Sequence, residues 1–511
     1  MSRTKNATRN ITWGFINKIV SLILPFICRT VMIYTMGTEY TGLGGLFASV
    51  LQVLSLAELG VGSAIVYSMY KPIAEGDDEK VCALLNLYKK MYHMIGIVIL
   101  VIGLILMPFL KYLIKGSYPE DISIYLLYAI YLFNTVISYF LFSYKCSLLN
   151  ATQRNDISCK IGIFVTLGTY LSQIFVLVQF RNYYIYALVM PIMSITNNIV
   201  TAHIATKMYP QYFCKGKLQK SELASIKETT FALVLYKIGS VLSDSFDSII
   251  LSAFLGLTTL TMYQNYNYIQ NSVGAFLLII TTSIIAGVGN SVVTETIEKN
   301  YSDFRKFTLL YMWISGWCTV CLVSLYQPFM KIWVGNDLLF SVEIMIIFCV
   351  YFYTRKVGDI CYAYRQAAGL WKYDKMRPII EAVINLIINI VWVKKFGVSG
   401  VLISTILCLV FINFGWGTFI LFKYYFKRKM VYYVMDQIYY LMITIVGGVI
   451  TYILCSRLVT EGFLGLIIRM VICVFVPNVI YIICFFWKKE YKDAILFVKR
   501  TFKHKKEKQF N

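Results

Sequence analysis

Apolar stretches about as long as a lipid bilayer is thick recur along the entire 511-residue chain. A membrane-spanning helix needs about 20 mostly apolar residues. Segments of this kind are found at 11–36, 42–69, 82–110, 122–149, 161–180, 183–206, 228–255, 259–290, 306–331, 338–366, 378–394, 397–422, 432–457 and 463–487. Because every main-chain polar group inside a bilayer has to be hydrogen-bonded internally, such segments are predicted to be helices. The chain is therefore predicted to be an all-α integral membrane protein with about 14 transmembrane helices.

The composition supports a membrane location and argues against a catalytic domain. Only 14% of the residues are charged and the mean hydropathy is +0.66, whereas soluble domains have about 25% charged residues. No predicted connection is much longer than about twenty residues, so an enzyme with an extramembrane active site is not expected. The three histidines show no ligand-like spacing, and the one Cys-x-x-Cys, Cys318 and Cys321, lies inside an apolar segment, so neither a metal site nor a cofactor is expected.

The basic residues lie on alternate connections between the apolar segments. The basic connections are the N-terminus, 207–227, 423–429 and the tail 488–508. The connections with almost no Lys or Arg include 37–41, 256–258 and 458–462. This positive-inside pattern predicts that both termini are cytoplasmic. The net charge of +22 therefore indicates a multi-pass protein of a cell membrane, with a basic tail that contacts anionic lipids, and not a nucleic-acid-binding protein.

The first and second halves of the chain resemble each other. NKIVSLILPFICRTVMIYTMG (17–37) aligns with YKIGSVLSDSFDSIILSAFLG (236–256), an offset of 219 residues, and Asp156 aligns with Asp374 at an offset of 218. A repeat of six helices predicts two six-helix bundles related by a pseudo-two-fold axis along the membrane normal, with the substrate site between them. The predicted domains are 1–210 (N-terminal bundle), 211–227 (cytoplasmic linker), 228–430 (C-terminal bundle), 431–487 (two additional helices) and 488–511 (basic cytoplasmic tail).

Several charged residues fall inside the first and seventh apolar segments, where an ionised side chain costs about 2.5–3.5 kcal/mol on insertion scales. Lys18 and Arg29 lie on one helical face of the first segment. Lys237 and Asp244 repeat this pattern in the seventh segment, with Asp247 beside them. Two such faces are predicted to line a central cavity, with Arg29, Lys18 and Lys237 as candidate substrate-binding residues. A structural ion pair is the alternative for Arg29 and the two aspartates.

The second and tenth segments add further charges. Glu58 lies near the middle of the second segment, where it offsets the cationic wall, carries a coupling ion or forms a structural ion pair with the first helix. The charges of the tenth segment are Arg355, Lys356 and Asp359. Arg355 is expected in the substrate site, and its spacing of four residues from Asp359 allows the two to pair. The candidates for coupling transport to H+ or Na+ are Glu58, Asp244, Asp247 and Asp359.

Amide side chains alternate with tyrosines in YQNYNYIQN (263–271), at the start of the eighth segment. Gln264, Asn267 and Asn271 fall on one helical face. Amides next to aromatic planes suit the hydroxyls and ring faces of sugars, so these three residues are candidate substrate contacts. The alternative is an interfacial aromatic belt with amide hydrogen bonds between helices.

Four stretches resemble a known family of transporters. They are LAELGVGSAIVYSMYKPIAEGDDEK (56–80), GWCTVCLVSLYQPFMKIWVG (316–335), AGLWKYDKMRPIIEAVINLIINI (368–390) and KKFGVSGVLISTI (394–406). With them, nearly the whole chain resembles the Wzx-type polysaccharide flippases of the multidrug/oligosaccharidyl-lipid/polysaccharide (MOP) exporter superfamily. The resemblance implies twelve core helices in two bundles, often with two additional C-terminal helices, that alternate between inward-open and outward-open states.

The resemblance also implies a substrate and partners. The implied substrate is an undecaprenyl-diphosphate-type lipid-linked oligosaccharide, flipped across the bacterial cytoplasmic membrane for surface polysaccharide biosynthesis, and the implied partners are a polysaccharide polymerase and assembly proteins. For such a substrate, Arg29 and Arg355 are the favoured residues to bind the diphosphate, because a guanidinium pairs bidentately with phosphate. Two alternatives stay open, a multidrug cation antiporter of the same superfamily and a non-transporting component of a polysaccharide assembly complex.

Overall fold

The computed structural model describes residues 3–58 and 60–496. Within this range nothing is described of the side chains of residues 3–8, 57, 225, 227–229, 231–233, 235–238, 240, 243–244, 286, 371 and 372. In chain order the helices are α1 (Arg3–Thr35), α2 (Thr38–Leu54), α3 (Val61–Glu75), α4 (Asp78–Leu106), α5 (Ile124–Phe140), α6 (Tyr144–Ala151), α7 (Asn155–Gln179), α8 (Tyr183–Met208), α9 (Lys220–Leu255), α10 (Leu257–Thr294), α11 (Ile297–Val334), α12 (Val342–Val357), α13 (Asp359–Ala367), α14 (Trp371–Asp374), α15 (Arg377–Cys408), α16 (Gly417–Leu421), α17 (Val431–Ser456) and α18 (Gly462–Phe485). The described residues contain no strand, which confirms the all-α prediction.

The helices confirm a multi-pass membrane protein, although several predicted spans are interrupted. Nine of the described helices are long and apolar enough to cross a membrane, or ten if the pair α5 and α6, bent by 53°, counts as one span. The eleventh and twelfth predicted segments lie within Arg377–Phe426, where two helices meet at a kink at Gly397. π-Helical turns follow in the second of them. The second and tenth segments are divided, into α2 and α3 and into α12 and α13.

The local backbone repeats with the predicted offset. Gly37 (φ 103°, ψ 179°) precedes α2 and Gly256 (φ 91°, ψ 174°) precedes α10, 219 residues later. Gly116 and Gly335, the same distance apart, both have positive φ as well, 85° and 81°. These values lie where only glycine is unstrained, so the glycines explain why the same turns form in both halves.

The described chain forms two compact units, Met1–Gln264 and Asn265–Asn511, which divide within α10. In the first unit α1 packs on α7, α7 and α5 pack on α8, and α2 and α3 pack on α9. In the second unit α11 contacts α12, α13, α17 and α18. Helix α11 is accordingly the most buried of the candidate spans, which fits its series of buried Tyr, Met and Ser residues. The predicted domain boundaries stay a prediction.

The connection between α8 and α9 is fastened to the start of α4. The Asn86 side-chain amide donates to the carbonyl oxygen of Gly216 at 2.9 Å, and Lys80 forms an ion pair with Glu222 in the first turn of α9. The Lys80 ammonium group holds the pKa of the Glu222 carboxyl below its usual value. Helix α9 therefore begins at Lys220, inside the segment predicted to be the linker 211–227.

The membrane orientation is a prediction that reporter fusions test. Fusions after residues 39 and 461 are expected to report an external location and a fusion after residue 215 a cytoplasmic one, because Lys and Arg are concentrated on alternate connections. The measurement is the activity of a phosphatase and a fluorescent-protein reporter at each position. An external signal at residue 215 would contradict the predicted orientation of the halves.

Candidate functional site

Glu58 lies in a break between two helices and not near the middle of one, as the sequence predicted. A single 3-10 turn, Ser55–Glu58, separates α2 from α3. Gly60 follows the break and faces α9 so closely that a Cβ atom would lie 2.6 Å from the carbonyl oxygen of Thr230. Glycine is therefore required where the turn meets α9. Interrupted helices with polar groups are typical of substrate and ion sites in transporters.

Two buried tyrosines hold the Glu58 carboxylate. The Tyr92 hydroxyl donates to Oε1 at 2.6 Å, and the Tyr139 hydroxyl donates to Oε2 at 2.5 Å. The Tyr88 hydroxyl in turn donates to Tyr92 at 2.8 Å. Hydrogen bonds to a charged group are each worth about 1.5–3 kcal/mol, so this arrangement fixes the carboxylate between α4 and α5. The predicted ion pair between Glu58 and the first helix is thus replaced by phenol hydrogen bonds.

The cations of α1 differ in environment. Arg29 is half-buried, and its Nη2 donates to the main-chain carbonyl oxygen of Thr261 at 3.3 Å. Lys18 lies about seven residues inside the predicted first segment and is exposed. The predicted polar stripe on α1 therefore has an exposed end at Lys18, and Arg29 connects its other end to α10.

The seventh and eighth predicted segments contain the next group of site candidates. Asp247 is 1% exposed and accepts a hydrogen bond from the Tyr263 hydroxyl at 3.3 Å. The side chains of Lys237 and Asp244 lie outside the described residues. The Gln264 side-chain amide lies directly against Gly45 of α2. Gln264 and Asn267 are half-buried and Asn271 is exposed, so the exposure of this face increases along α10.

The charges of the tenth segment lie at a second helix break. Helix α12 ends at Val357 and α13 begins at Asp359, so Arg355 and Asp359 are not on one continuous helix as predicted. Lys356 Nζ lies 3.6 Å from Asp359 Oδ2, and the Tyr311 hydroxyl donates to the same oxygen. Arg355 donates to the Tyr351 hydroxyl at 3.0 Å. The carboxylate of Asp359 thus resembles Glu58, because each accepts a hydrogen bond from a buried tyrosine at a break.

Asp156 and Asp374, which align in the repeat, have contacts that were not predicted from the sequence. Asp156 is 0% exposed and pairs with Arg9 at 2.9 Å and Arg154 at 3.1 Å. Asp374 is 2% exposed and pairs with Arg377 at 2.7 Å and Arg365 at 3.5 Å. The sequence does contain a signal for these ion pairs, because Arg154 closely precedes Asp156 and Arg377 closely follows Asp374. These repeat-related clusters hold helices together within each unit and are not placed to bind a substrate.

A long apolar groove in the second unit was also missed. It encloses about 700 Å³ and is lined by α11, α12, α17 and the stretch that follows α15. The groove extends along α17 from Val434 to Ile453, about 28 Å at the rise of an α-helix. Gln437 lines it, is 6% exposed and has no hydrogen-bond partner for its amide among the described residues. The groove can therefore hold a long apolar chain with a polar group near one end.

Comparison with known proteins shows which fold this is. No protein-family model matches the chain, and no curated protein matches it significantly. The lipid II flippase MurJ in an inward closed conformation is similar at TM-score 0.70 and 15% identity, over 93% of this chain and 98% of that chain. An inward-facing multidrug resistance MATE family transporter of the MOP superfamily is similar at TM-score 0.60 and 14% identity, over 79% of this chain and 97% of that chain.

A third structure agrees with the first two. The Vibrio cholerae MATE transporter VcmN in its bent form is similar at TM-score 0.53 and 15% identity, over 84% of this chain and 99% of that chain. The chain therefore has the fold of these membrane transporters.

Proposed function

We propose that the protein is a flippase of the MOP superfamily that moves a lipid-diphosphate-linked oligosaccharide across the bacterial cytoplasmic membrane by alternating access. The observation that carries this proposal is the similarity to a lipid II flippase over 93% of the chain at TM-score 0.70. The MATE transporters match a smaller share, 79% and 84% of the chain. An undecaprenyl-type carrier lipid is the proposed lipid part of the substrate.

The groove along α17 supports a lipid-linked substrate. Its polar lining is confined to a few side chains such as Gln437 and Tyr353, and its length of about 28 Å approaches the thickness of the hydrocarbon core. A compact drug cation needs neither this length nor this apolarity. Arg355 and Lys356 of α12 provide cationic groups for the diphosphate.

A multidrug cation antiporter is the second candidate, because MATE transporters share the fold at TM-scores up to 0.60. A cation site would use carboxylates such as Asp247 and Asp359. The described Asp359 is already near Lys356, at 3.6 Å, which lowers its attraction for a further cation. We also propose that transport is coupled to H+ or Na+ through the carboxylates. The basic tail, of which residues 497–511 lie outside the described part, is proposed to contact anionic lipids, and a polymerase or assembly proteins are proposed as partners.

The proposed function is tested in a strain that lacks the gene. We expect the surface polysaccharide to be lost and lipid-linked repeat units to accumulate inside the cell, with both effects reversed by the intact gene. Sensitivity to cationic drugs is measured in parallel. If the repeat-unit levels are unchanged and drug sensitivity rises, the antiporter is favoured. If repeat units accumulate in the cell but the purified protein does not flip the lipid in vesicles, a structural component is favoured.

The same strain tests the cationic residues. Arg355→Ala is expected to reduce apparent affinity about ten- to hundredfold, since a hydrogen bond to a charged group contributes about 1.5–3 kcal/mol. Arg355→Lys should recover only part of the loss, because it keeps the charge without the planar fork. Arg29→Ala is a less selective test of substrate binding, because it also removes the hydrogen bond from Arg29 to the Thr261 carbonyl oxygen. Lys71→Ala, at a side chain that is 82% exposed, is the control for removing a cation.

A further inference from the structure

Equivalent tyrosines hold a carboxylate in each repeat. Tyr92 of α4 and Tyr311 of α11 are 219 residues apart, the offset of the repeat. The Tyr92 hydroxyl donates to Glu58, at the break after α2. The Tyr311 hydroxyl donates to Asp359, at the break after α12. Each unit therefore has its own carboxylate beside a buried tyrosine, although the two carboxylates are not equivalent in the alignment.

The two sites differ in the second partner of the carboxylate. At Glu58 each oxygen accepts a hydrogen bond from a different tyrosine hydroxyl. At Asp359 the Tyr311 hydroxyl and the Lys356 ammonium group approach the same oxygen, Oδ2, and no other described residue forms a hydrogen bond or an ion pair with this carboxylate. Lys356 Nζ thus occupies the position at which a monovalent cation would bind Asp359.

The ammonium group of Lys356 is held loosely. Its Nζ lies 3.6 Å from Asp359 Oδ2, whereas a hydrogen bond between an ammonium and a carboxylate is about 2.7–2.9 Å long. Towards α10 the ammonium group faces Gly274, where a Cβ atom would lie 3.5 Å from Nζ, so the glycine leaves space beside it. Lysine also has a flexible stem and three donors that can be redirected. Lys356 can therefore exchange Asp359 for another anion without a movement of the helices.

The groups around the pair favour such an exchange. The Arg355 guanidinium, which donates to Tyr351, is a like charge that repels Lys356. Among the described residues, Cys318 of α11 is the other titratable group near Lys356 besides Tyr311, and α16, which also packs on α13, contains none. An anion that binds Arg355 also attracts Lys356, and it therefore competes with Asp359 for the ammonium group.

We propose that Asp359 and Tyr311 form a site for a monovalent cation, H+ or Na+, which Lys356 occupies until the diphosphate of the cargo draws the ammonium group away. The cation then binds Asp359 in place of Lys356. The site itself is independent of the proposed function, whereas its release by a diphosphate rests on that function. Because coupling between two binding sites is reciprocal, a cation that binds Asp359 must raise the affinity for the diphosphate by the same factor.

Removal of the lysine charge tests the cation site without any cargo. The thermal unfolding midpoint of the purified protein is measured with Na+ replaced by choline at constant ionic strength, and at several pH values. Lys356→Met is expected to gain a rise of the midpoint with Na+, or with a lower pH, beyond that of the wild-type protein, because a cation that binds only the folded protein stabilises it. Lys356→Arg, which keeps a cation at the site, and Lys356→Met combined with Asp359→Asn should not gain it.

Lys331→Met is the matched control. Lys331 is also the ion-pair partner of a carboxylate in the second unit, Glu461 at 3.2 Å, but both side chains are exposed. Its removal should therefore leave the Na+ and pH dependence as in the wild-type protein. A dependence in Lys356→Met that equals that of Lys331→Met would overturn the cation site, whatever the cargo is.

The exchange is tested in the wild-type protein with inorganic pyrophosphate as the probe. Its apparent affinity is titrated through the same midpoint, and saturating H+ or Na+ is expected to raise this affinity about 5- to 150-fold, the usual range for coupled sites. The increase should vanish in Asp359→Asn. An increase that persists in Asp359→Asn, or a wild-type affinity that no cation changes, would overturn the exchange. If pyrophosphate does not bind while Lys356→Met still gains its cation dependence, the cation site stands and the anionic cargo of the proposed function is wrong.

Discussion

Replacing Asp374 with asparagine is expected to lower the free energy of unfolding by about 3–5 kcal/mol, the range for removing one partner of a buried ion pair. Asp374 accepts from Arg377 Nε at 2.7 Å and lies 3.5 Å from Arg365. Arg377 also donates to Glu381 at 2.8 Å. Without the Asp374 charge, two buried guanidinium groups share one carboxylate, and the amide of asparagine cannot compensate them.

The measurement is the thermal unfolding midpoint of the detergent-purified protein, with membrane levels recorded first. Asp156→Asn should have a comparable effect, because Asp156 is the repeat counterpart and pairs with two arginines. Glu75→Gln is the control, since the Lys71–Glu75 pair is exposed and such pairs contribute about 0–1 kcal/mol. Arg365→Met should restore part of the stability of Asp374→Asn by removing the uncompensated cation. Similar midpoints for Asp374→Asn and Glu75→Gln would contradict the assignment.

Replacing Glu58 with glutamine is expected to abolish gradient-dependent export while the protein still folds. Each oxygen of the carboxylate accepts a hydrogen bond from a tyrosine hydroxyl, and Gly60, just after the turn that carries Glu58, packs on α9. Neutralising the carboxylate weakens both bonds and frees the turn, which is how binding of a proton or Na+ would be transmitted to α9. Glutamine mimics the neutral form permanently, so it removes the cycle between the two forms.

Export is measured by complementation at several external pH values and Na+ concentrations. Tyr92→Phe and Tyr139→Phe keep the carboxylate but remove one donor each, so they should change the pH or Na+ dependence and leave some export. Asp247→Asn is compared as the second candidate for coupling, because Asp247 is buried and contacts Tyr263. Full export by both Glu58→Gln and Asp247→Asn, at every gradient, would assign these carboxylates a structural role.

The site was only partly predictable, and Glu58 shows why. The sequence identified it as a carboxylate in an apolar segment, but its partners lie 34 and 81 residues away on α4 and α5. The chain has 40 tyrosines, so nothing local distinguished Tyr92 and Tyr139. Arg355 shows a second reason. A spacing of four residues brings Arg355 and Asp359 together only if both lie on one continuous helix. The helix is broken at Gly358, so the spacing does not predict this pair.

The class of the protein, its apolar segments, the repeat and the positions of the intramembrane charges could be predicted from the sequence alone, but the breaks within several segments could not. The predictable properties are local, because apolar length, helical period and a recurring glycine are read from neighbouring residues. The three-dimensional structure was needed to find the partners of the charges, the burial of Asp156 and Asp374 among arginines, and the close contact between Gly42 and Thr261. The physical reason is that burial and pairing depend on helices that are remote in the chain and adjacent in space.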